Sequence, residues 1–268
     1  MLDLHDITYE KREMIATARI NRPARLNAFR QTTYGELLAV LDDTGNDERL
    51  RVLVITGTGR TFSAGDDLKE LDVMLSSSDP VTSMDRTLTV LQEITRRIVS
   101  LPKIVIAAVN GIAVGFGVEL ALAADIRIAA QEASFEFAEA RRGLFVTNGA
   151  IYLLPRLVGY GRATHLMLTG YSISASEALE WGLVTSVFPM QAFMPGVLQI
   201  AHTISGNAPT SVRLLKQRLR ASYELGLEEA MRLEVEAVRE CAERGESAEG
   251  ARAFLERRSP NYDAKRST

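Results

Sequence analysis

Two rhythms of apolar residues alternate through the first half of the chain. Ile15 to Ile20 reads as a strand, closed by a turn at Asn21-Arg22-Pro23. Thr32 to Leu41 then sets Tyr34, Leu37, Leu38 and Leu41 at helical spacing. Val52 to Thr56 is a short buried strand ending at Gly57, and the polar segment Ser76 to Ser83 predicts a mobile surface stretch. Leu88 to Leu101 is a helix with Leu91, Ile94, Ile98 and Leu101 on one face. Lys103 to Val109 and Ile126 to Ala129 are further strands. Strand, helix, strand recurrence of this kind predicts parallel α/β layering.

Beyond about Thr147 the period becomes helical throughout. Helices are predicted over Ala150 to Leu157, Gly161 to Leu168, Ser174 to Trp181 and Met194 to Ile204. Three more follow, over Pro209 to Leu225, Leu227 to Arg244 and Ser247 to Arg257. Ser174 or Ser176 ahead of Glu177 supplies an N-cap.

Composition narrows the function. At 268 residues the chain can bury a sizeable core as one domain with an appendage. Its 31 Lys and Arg nearly balance 34 Asp and Glu, with no basic stripe, so nucleic acid is not expected as a partner. The single cysteine, Cys241, excludes an internal disulfide framework and fits a reducing compartment. His5, His165 and His202 are scattered, without zinc-ligand spacing. The apolar stretch Ile104 to Leu122 is interrupted by Asn110, three glycines and Glu119, so no membrane span is expected. The N-terminus lacks the pattern of a signal sequence. A soluble, cytoplasmic protein is the expectation.

The segment from Val109 to Leu120 carries the most chemistry. A strand feeds a loop with Gly111, Gly115 and Gly117, and a helix begins at about Val118 with Glu119 in its first turn. Unpaired N–H groups and the positive end of the helix dipole point into the same space as this lone carboxylate. That suits a site holding an oxyanion beside an acid or base. The residues alone fit equally a close-packed glycine loop with Glu119 merely favouring the helix start. A second segment, Arg60 to Glu70, follows the strand Val52 to Thr56 and also sets a glycine, Gly65, beside a helix start. Loops at the carboxyl ends of parallel strands gather where ligands bind. An ordinary helix entry served by Asp66 or Asp67 explains it as well.

Gly57-Thr58-Gly59 meets Phe62 where a dinucleotide loop needs glycine. Thr61 to Gly65 misses the serine elbow by its first residue, which leaves Ser63 a poor candidate nucleophile. In the third segment, Ala133 to Leu144, Glu139 precedes Gly143. A solvent carboxylate paired with a neighbouring arginine is its simplest alternative.

In this order and spacing the landmarks resemble the enoyl-CoA hydratase/isomerase (crotonase) superfamily over essentially the full chain. They are Asn21 to Pro23 through Asn27 to Phe29, Ser63 to Lys69, Asn110 to Glu119, Phe135 to Gly143, Leu154 to Gly159, and Glu249 to Arg258. The resemblance implies an α/β crotonase-like (ClpP/crotonase) spiral of ββα units with a helical C-terminal region. Residues 1–200 would form the core and 201–268 a trimerisation region.

For activity, the resemblance implies addition of water across C2=C3 of a 2-trans-enoyl-CoA thioester to give a 3-hydroxyacyl-CoA. The N–H groups of Asp66 and Phe116 would bind the thioester oxygen. Phe116 stands where glycine is frequent. Glu119 would act mainly on the water and Glu139 mainly on C2. Phe137-Ala138 replaces a frequent Gln-Pro pair, and Val146 to Gly149 a more glycine-rich run, so the acyl group stays open. Coenzyme A contacts carry over to Arg25, Leu26, Ala64, Asp66, Leu68, Lys69, Phe254 and Arg257, the last standing where lysine is common. Asn27 to Thr33 also resembles members acting on alicyclic acyl-CoA thioesters. No metal or redox cofactor is expected, coenzyme A being part of the substrate, and a homotrimer or a hexamer built as a dimer of trimers is. The alternatives are a Δ3,Δ2-enoyl-CoA isomerase, an acyl-CoA hydrolase, or a non-catalytic or RNA-binding homologue.

Overall fold

The computed structural model describes residues 2–262. The last six positions of the proposed 201–268 region, 263–268, therefore lie outside the described residues. Strands β1 (Ile7–Arg12) and β2 (Ile15–Ile20) form an antiparallel pair. The predicted turn after β2 extends into a short 3-10 helix, Pro23–Arg25. Helix α1 (Gln31–Asn46) leads to β3 (Val52–Gly57) and β4 (Thr61–Ser63). Next come α2 (Leu68–Leu75), α3 (Pro80–Ser100), β5 (Ile104–Val109), β6 (Ile112–Val114) and α4 (Phe116–Ala123). The pattern continues with β7 (Ile126–Ala130) and β8 (Ser134–Glu136).

A six-stranded sheet orders β1-β2-β3-β5-β7, and β10 (Ser186–Phe188) closes it. A second sheet orders β4-β6-β8 and β9 (Ile173–Ser174). Thus β3–β4, β5–β6 and β7–β8 each place one strand in the large sheet and the next in the small one.

From β2 onward the large sheet is parallel and covered on both faces, which is why β3 and β5 read as continuous apolar runs. Alternation sorts the two faces. Val52, Val54, Ile104, Ile106 and Ile128 pack under Phe193, Val197 and Ala201 of helix Met190–Ser205. Leu53, Ile55, Val105, Ala107 and Val109 join the larger core with α1, α3 and α4. All eight residues of α4 are buried, so it has no polar face and is a central helix.

The segment expected to be mobile at Ser76 to Ser83 is partly helical. Asp79 caps α3 by accepting the Thr82 N–H at 3.1 Å, and Pro80 occupies the first turn, where its missing N–H costs nothing. Of the two candidate serines, Ser174 is the cap. It exchanges hydrogen bonds with Glu177 in a capping box. Among the later helices, Pro209–Ala221 is fastened to the core by Lys216. Its Nζ donates to the carbonyls of Ile98 and Lys103, both at 2.9 Å, and lies 2.8 Å from the Asp125 carboxylate. Helices Leu227–Glu243 and Glu246–Leu255 follow.

Candidate active site

The loops leaving β3 and β5 meet because two buried asparagines tie them together. Asn110 accepts the Gly57 N–H at 2.9 Å and donates to the Gly59 carbonyl at 2.8 Å. Asn27, in left-handed backbone geometry, donates to the carbonyls of Thr58 and Thr61 and accepts the Arg22 N–H. Strand β4 is thereby held against the start of α4, where only glycine fits. A side chain begun at Gly117 would lie 2.5 Å from the Ser63 carbonyl oxygen. Gly65 has φ +88°, and a side chain there would start 3.4 Å from the Phe116 nitrogen. Asp66 therefore leaves the β4 loop beside the first turn of α4. Among the described residues, neither the Asp66 nor the Phe116 N–H makes a backbone hydrogen bond.

Of the five carboxyl residues that line the cavity over this junction, Asp66, Asp67, Glu70, Glu119 and Glu139, three bear on its chemistry. Glu119 is 2 % exposed. The Thr147 N–H donates to its Oε1 at 2.5 Å, and the Thr147 hydroxyl and Asn148 amide donate to Oε2 at 2.8 and 2.5 Å. Burial raises its pKa above the ordinary carboxylate range, against the opposing pull of those three bonds. Glu139 sits across Gly115, its Oε1 3.1 Å from where a side chain there would begin. Its Oε2 is buried without a hydrogen-bond partner among the described residues. Burial pushes its pKa up to about 7, and the charges of Glu119 and Asp66 act in the same direction. Among the described residues no arginine forms a salt bridge with Glu139: Arg141 pairs with Glu136, and Arg142 acts on Glu139 only through its charge, opposing the rise. The third carboxyl, Asp66, accepts the Tyr34 hydroxyl at 2.5 Å. Burial raises its pKa and that bond opposes the rise.

The cavity measures about 900 Å³. It brings together Asp66, Lys69, Phe116, Glu119 and Glu139 from the sequence-derived site. Arg25, Leu26, Ala64 and Leu68 are not among its lining residues, but they border it along the chain. Ala64 donates its N–H to the Leu26 carbonyl at 3.0 Å, and Leu68 opens α2 next to Lys69. Phe254, 83 % exposed, and Arg257 stand at the end of the last helix and do not line the cavity of their own chain. Ser63 is fully buried, its Oγ accepting the Gly65 N–H at 3.1 Å, which accounts for it as a structural residue. Among the described residues no three His, Cys, Asp or Glu side chains are grouped to hold a metal ion. No helix there is long and apolar enough to cross a membrane.

Sequence reasoning missed three contributors, Thr147, Asn148 and Tyr34, and the part played by the Asp66 carboxyl. Thr147 and Asn148 were read only as a departure near the acyl end, yet they hold Glu119. Tyr34 reads in the sequence only as part of the apolar face of α1, and Asp66 as an N–H donor and a coenzyme A contact rather than as a carboxyl held by Tyr34. A polar pair after a glycine-poor run, Thr147-Asn148, was the available signal for the first two. Nothing local pointed to the meeting of Tyr34 with Asp66.

A parallel sheet whose strand-end loops gather carboxylates and free N–H groups in one cavity defines an acid–base enzyme site of the crotonase kind. The chain belongs to the enoyl-CoA hydratase/isomerase family, which matches residues 10–265. It is 36% identical over 259 residues to short-chain-enoyl-CoA hydratase of Clostridium acetobutylicum, covering 96% of this chain and 97% of that protein. It is 35% identical over 251 residues to 1,2-epoxyphenylacetyl-CoA isomerase of Escherichia coli, covering 94% and 95%. The solved structure of enoyl-CoA hydratase from Bacillus anthracis superposes with a TM-score of 0.91 at 33% identity, covering 96% of this chain and 99% of that one. The fold is the crotonase fold.

Proposed function

We propose that the protein hydrates 2-trans-enoyl-CoA thioesters to 3-hydroxyacyl-CoA. The observation that carries this is the placement of Glu119 and Glu139 in one cavity with the Asp66 and Phe116 N–H groups. Water addition places oxygen on C3 and a proton on C2 while charge builds on the thioester oxygen. The two N–H groups take that charge, a role worth about 3–4 kcal/mol per donor. Glu119, oriented by Thr147 and Asn148, takes the proton of the attacking water as it bonds to C3. Glu139, with an unpartnered oxygen, delivers the proton to C2. No metal or redox cofactor enters this scheme.

Arg25, Leu26, Ala64, Asp66, Leu68 and Lys69 along the rim take coenzyme A, with Phe254 and Arg257 supplied by a neighbouring subunit. A homotrimer, or a hexamer of two trimers, assembles through residues 201–268. The exposed apolar side chains of Leu227, Val238 and Phe254 support that region as a contact surface. A cytoplasmic location fits the lone half-buried thiol.

A second reading, double-bond isomerisation, is favoured by one observation. Both oxygens of Glu119 are occupied, which leaves Glu139 as the freer base. The test mixes the purified protein with a 2-trans-enoyl-CoA. Hydration removes the conjugated absorbance and adds the mass of one water. Interconversion of 3-enoyl and 2-enoyl thioesters with no hydrated product establishes the isomerase instead. Glu119→Gln and Glu139→Gln should each lower kcat by roughly 10²–10⁴.

A further inference from the structure

The carboxyl of Asp66 has no part in the chemistry above, which uses only its N–H. It is nevertheless built into the cavity wall. Tyr34 is 3 % exposed, and its ring is stacked on Phe29 at 5.6 Å and set edge-on to Phe116 at 5.6 Å, so the hydroxyl cannot swing away. That fixed hydroxyl donates to Asp66 Oδ1. No protein donor among the described residues reaches the other carboxyl oxygen, and the residue is open to the cavity. The lining is mixed: Phe29, Phe116, Leu71, Met74, Met84 and Leu91 give it apolar stretches, while Gln31, Lys69, Arg86 and Thr87 line other parts of the same space.

A plain alkyl chain filling such a cavity strips water from this carboxyl and returns no hydrogen bond, which is costly. A hydroxyl on the acyl chain replaces the lost water. Because the Asp66 N–H lies beside that of Phe116, its side chain is also within a few bonds' reach of the thioester. We infer that the Tyr34–Asp66 pair makes the acyl pocket selective for thioesters carrying a hydroxyl just beyond C3, in preference to unsubstituted chains of the same length. The inference rests on the acyl-CoA reading of the cavity.

The test uses matched thioesters with the full-length protein. Wild type, Tyr34→Phe and Asp66→Leu are compared on 4-hydroxy-2-butenoyl-CoA and 2-butenoyl-CoA, scored as the ratio of kcat/KM values so that a general loss of activity cancels. Wild type should favour the hydroxylated thioester by roughly 10-fold or more; Asp66→Leu, which removes the acceptor, should bring the ratio near one, and Tyr34→Phe, which leaves the carboxyl free to turn away, should lower it. Dissociation constants for the saturated pair, 4-hydroxybutyryl-CoA and butyryl-CoA, are measured by calorimetry on the same proteins. They should show the same loss of preference. Tyr34→Phe keeps the ring stack and serves if Asp66→Leu does not fold. A wild-type ratio near one in both measurements, or an unchanged ratio in Tyr34→Phe, overturns the selectivity while leaving hydration standing. Absence of turnover together with a retained binding preference overturns hydration and leaves the selectivity standing.

Discussion

Thr147 grips both oxygens of Glu119, its N–H on one and its hydroxyl on the other. The two bonds come from one residue, so they fix the plane of the carboxylate as well as its position. Thr147→Val keeps the N–H bond and the shape but removes the hydroxyl. We expect kcat for hydration to fall about 5-fold with KM little changed, since one hydrogen bond of about 1 kcal/mol is lost from the orienting set. Steady-state kinetics checks this, and an unchanged kcat shows that Asn148 and the backbone suffice.

The pH dependence of kcat/KM separates the two proposed reactions. As the proton donor to C2, Glu139 must be protonated, so hydration should decline as pH rises through about 7. Glu119 must be ionised to activate water, which gives an acid limb above the ordinary carboxylate range. An isomerase using Glu139 as base would instead gain activity through about 7. The sign of that limb, measured on a 2-enoyl and a 3-enoyl thioester, decides between them.

Glu139 also weakens the fold it serves. Its pKa rises from 4.5 in the unfolded chain to about 7 in the folded one, so the folded state binds the proton more tightly. The stability this gives is complete below 4.5 and is lost as pH climbs through about 7. Glu139→Gln has no such loss. Its melting temperature relative to wild type should therefore be higher at pH 8 than at pH 5, by a few degrees. Equal differences at the two pH values would show that the carboxyl is not strained by burial.

Gly117→Ala forces a methyl to within 2.5 Å of a backbone carbonyl, Ser63, with no flexible side chain to yield. Helix α4 must then move off β4 and carry the Phe116 N–H with it. A loss of roughly 100-fold in kcat/KM is expected for a misplacement on the order of 1 Å. The far-UV spectrum should stay native.

Lys216→Met should cost about 3 kcal/mol in denaturant unfolding, because it removes the bonds to the Ile98 and Lys103 carbonyls and one of the cations beside Asp125. Kinetic constants measured well below the unfolding midpoint should remain near wild type.

Much of the large sheet was legible because its strands are long enough for runs such as Val52 to Thr56 to stand out. The second sheet was not. Strands β4, β6 and β8 span three residues each, too few for a period of two to register. Strand β1 was hidden differently: four of its six residues are exposed and only Ile7 is buried, so it carries no apolar run. Glu119 was legible because a carboxylate in an all-apolar helix demands a reason. Thr147 and Asn148 gave a weaker contrast, a polar pair after Leu144-Phe145-Val146 with nothing in the segment to tie it to Glu119. Tyr34 and Asp66 lie 32 positions apart on elements whose contact only the packing decides. Asp79-Pro80, by contrast, was a readable helix start, obscured by the serines ahead of it.

Helix α2 buries none of its residues, whereas α4 buries all eight. Substitutions at Leu71 or Met74 therefore change what the cavity admits without disturbing the core, while almost any change in α4 is punished at once. A lineage built on this chain can drift to new acyl groups through α2 and keep its acid–base centre unaltered. A directed-evolution library aimed at new substrates belongs there.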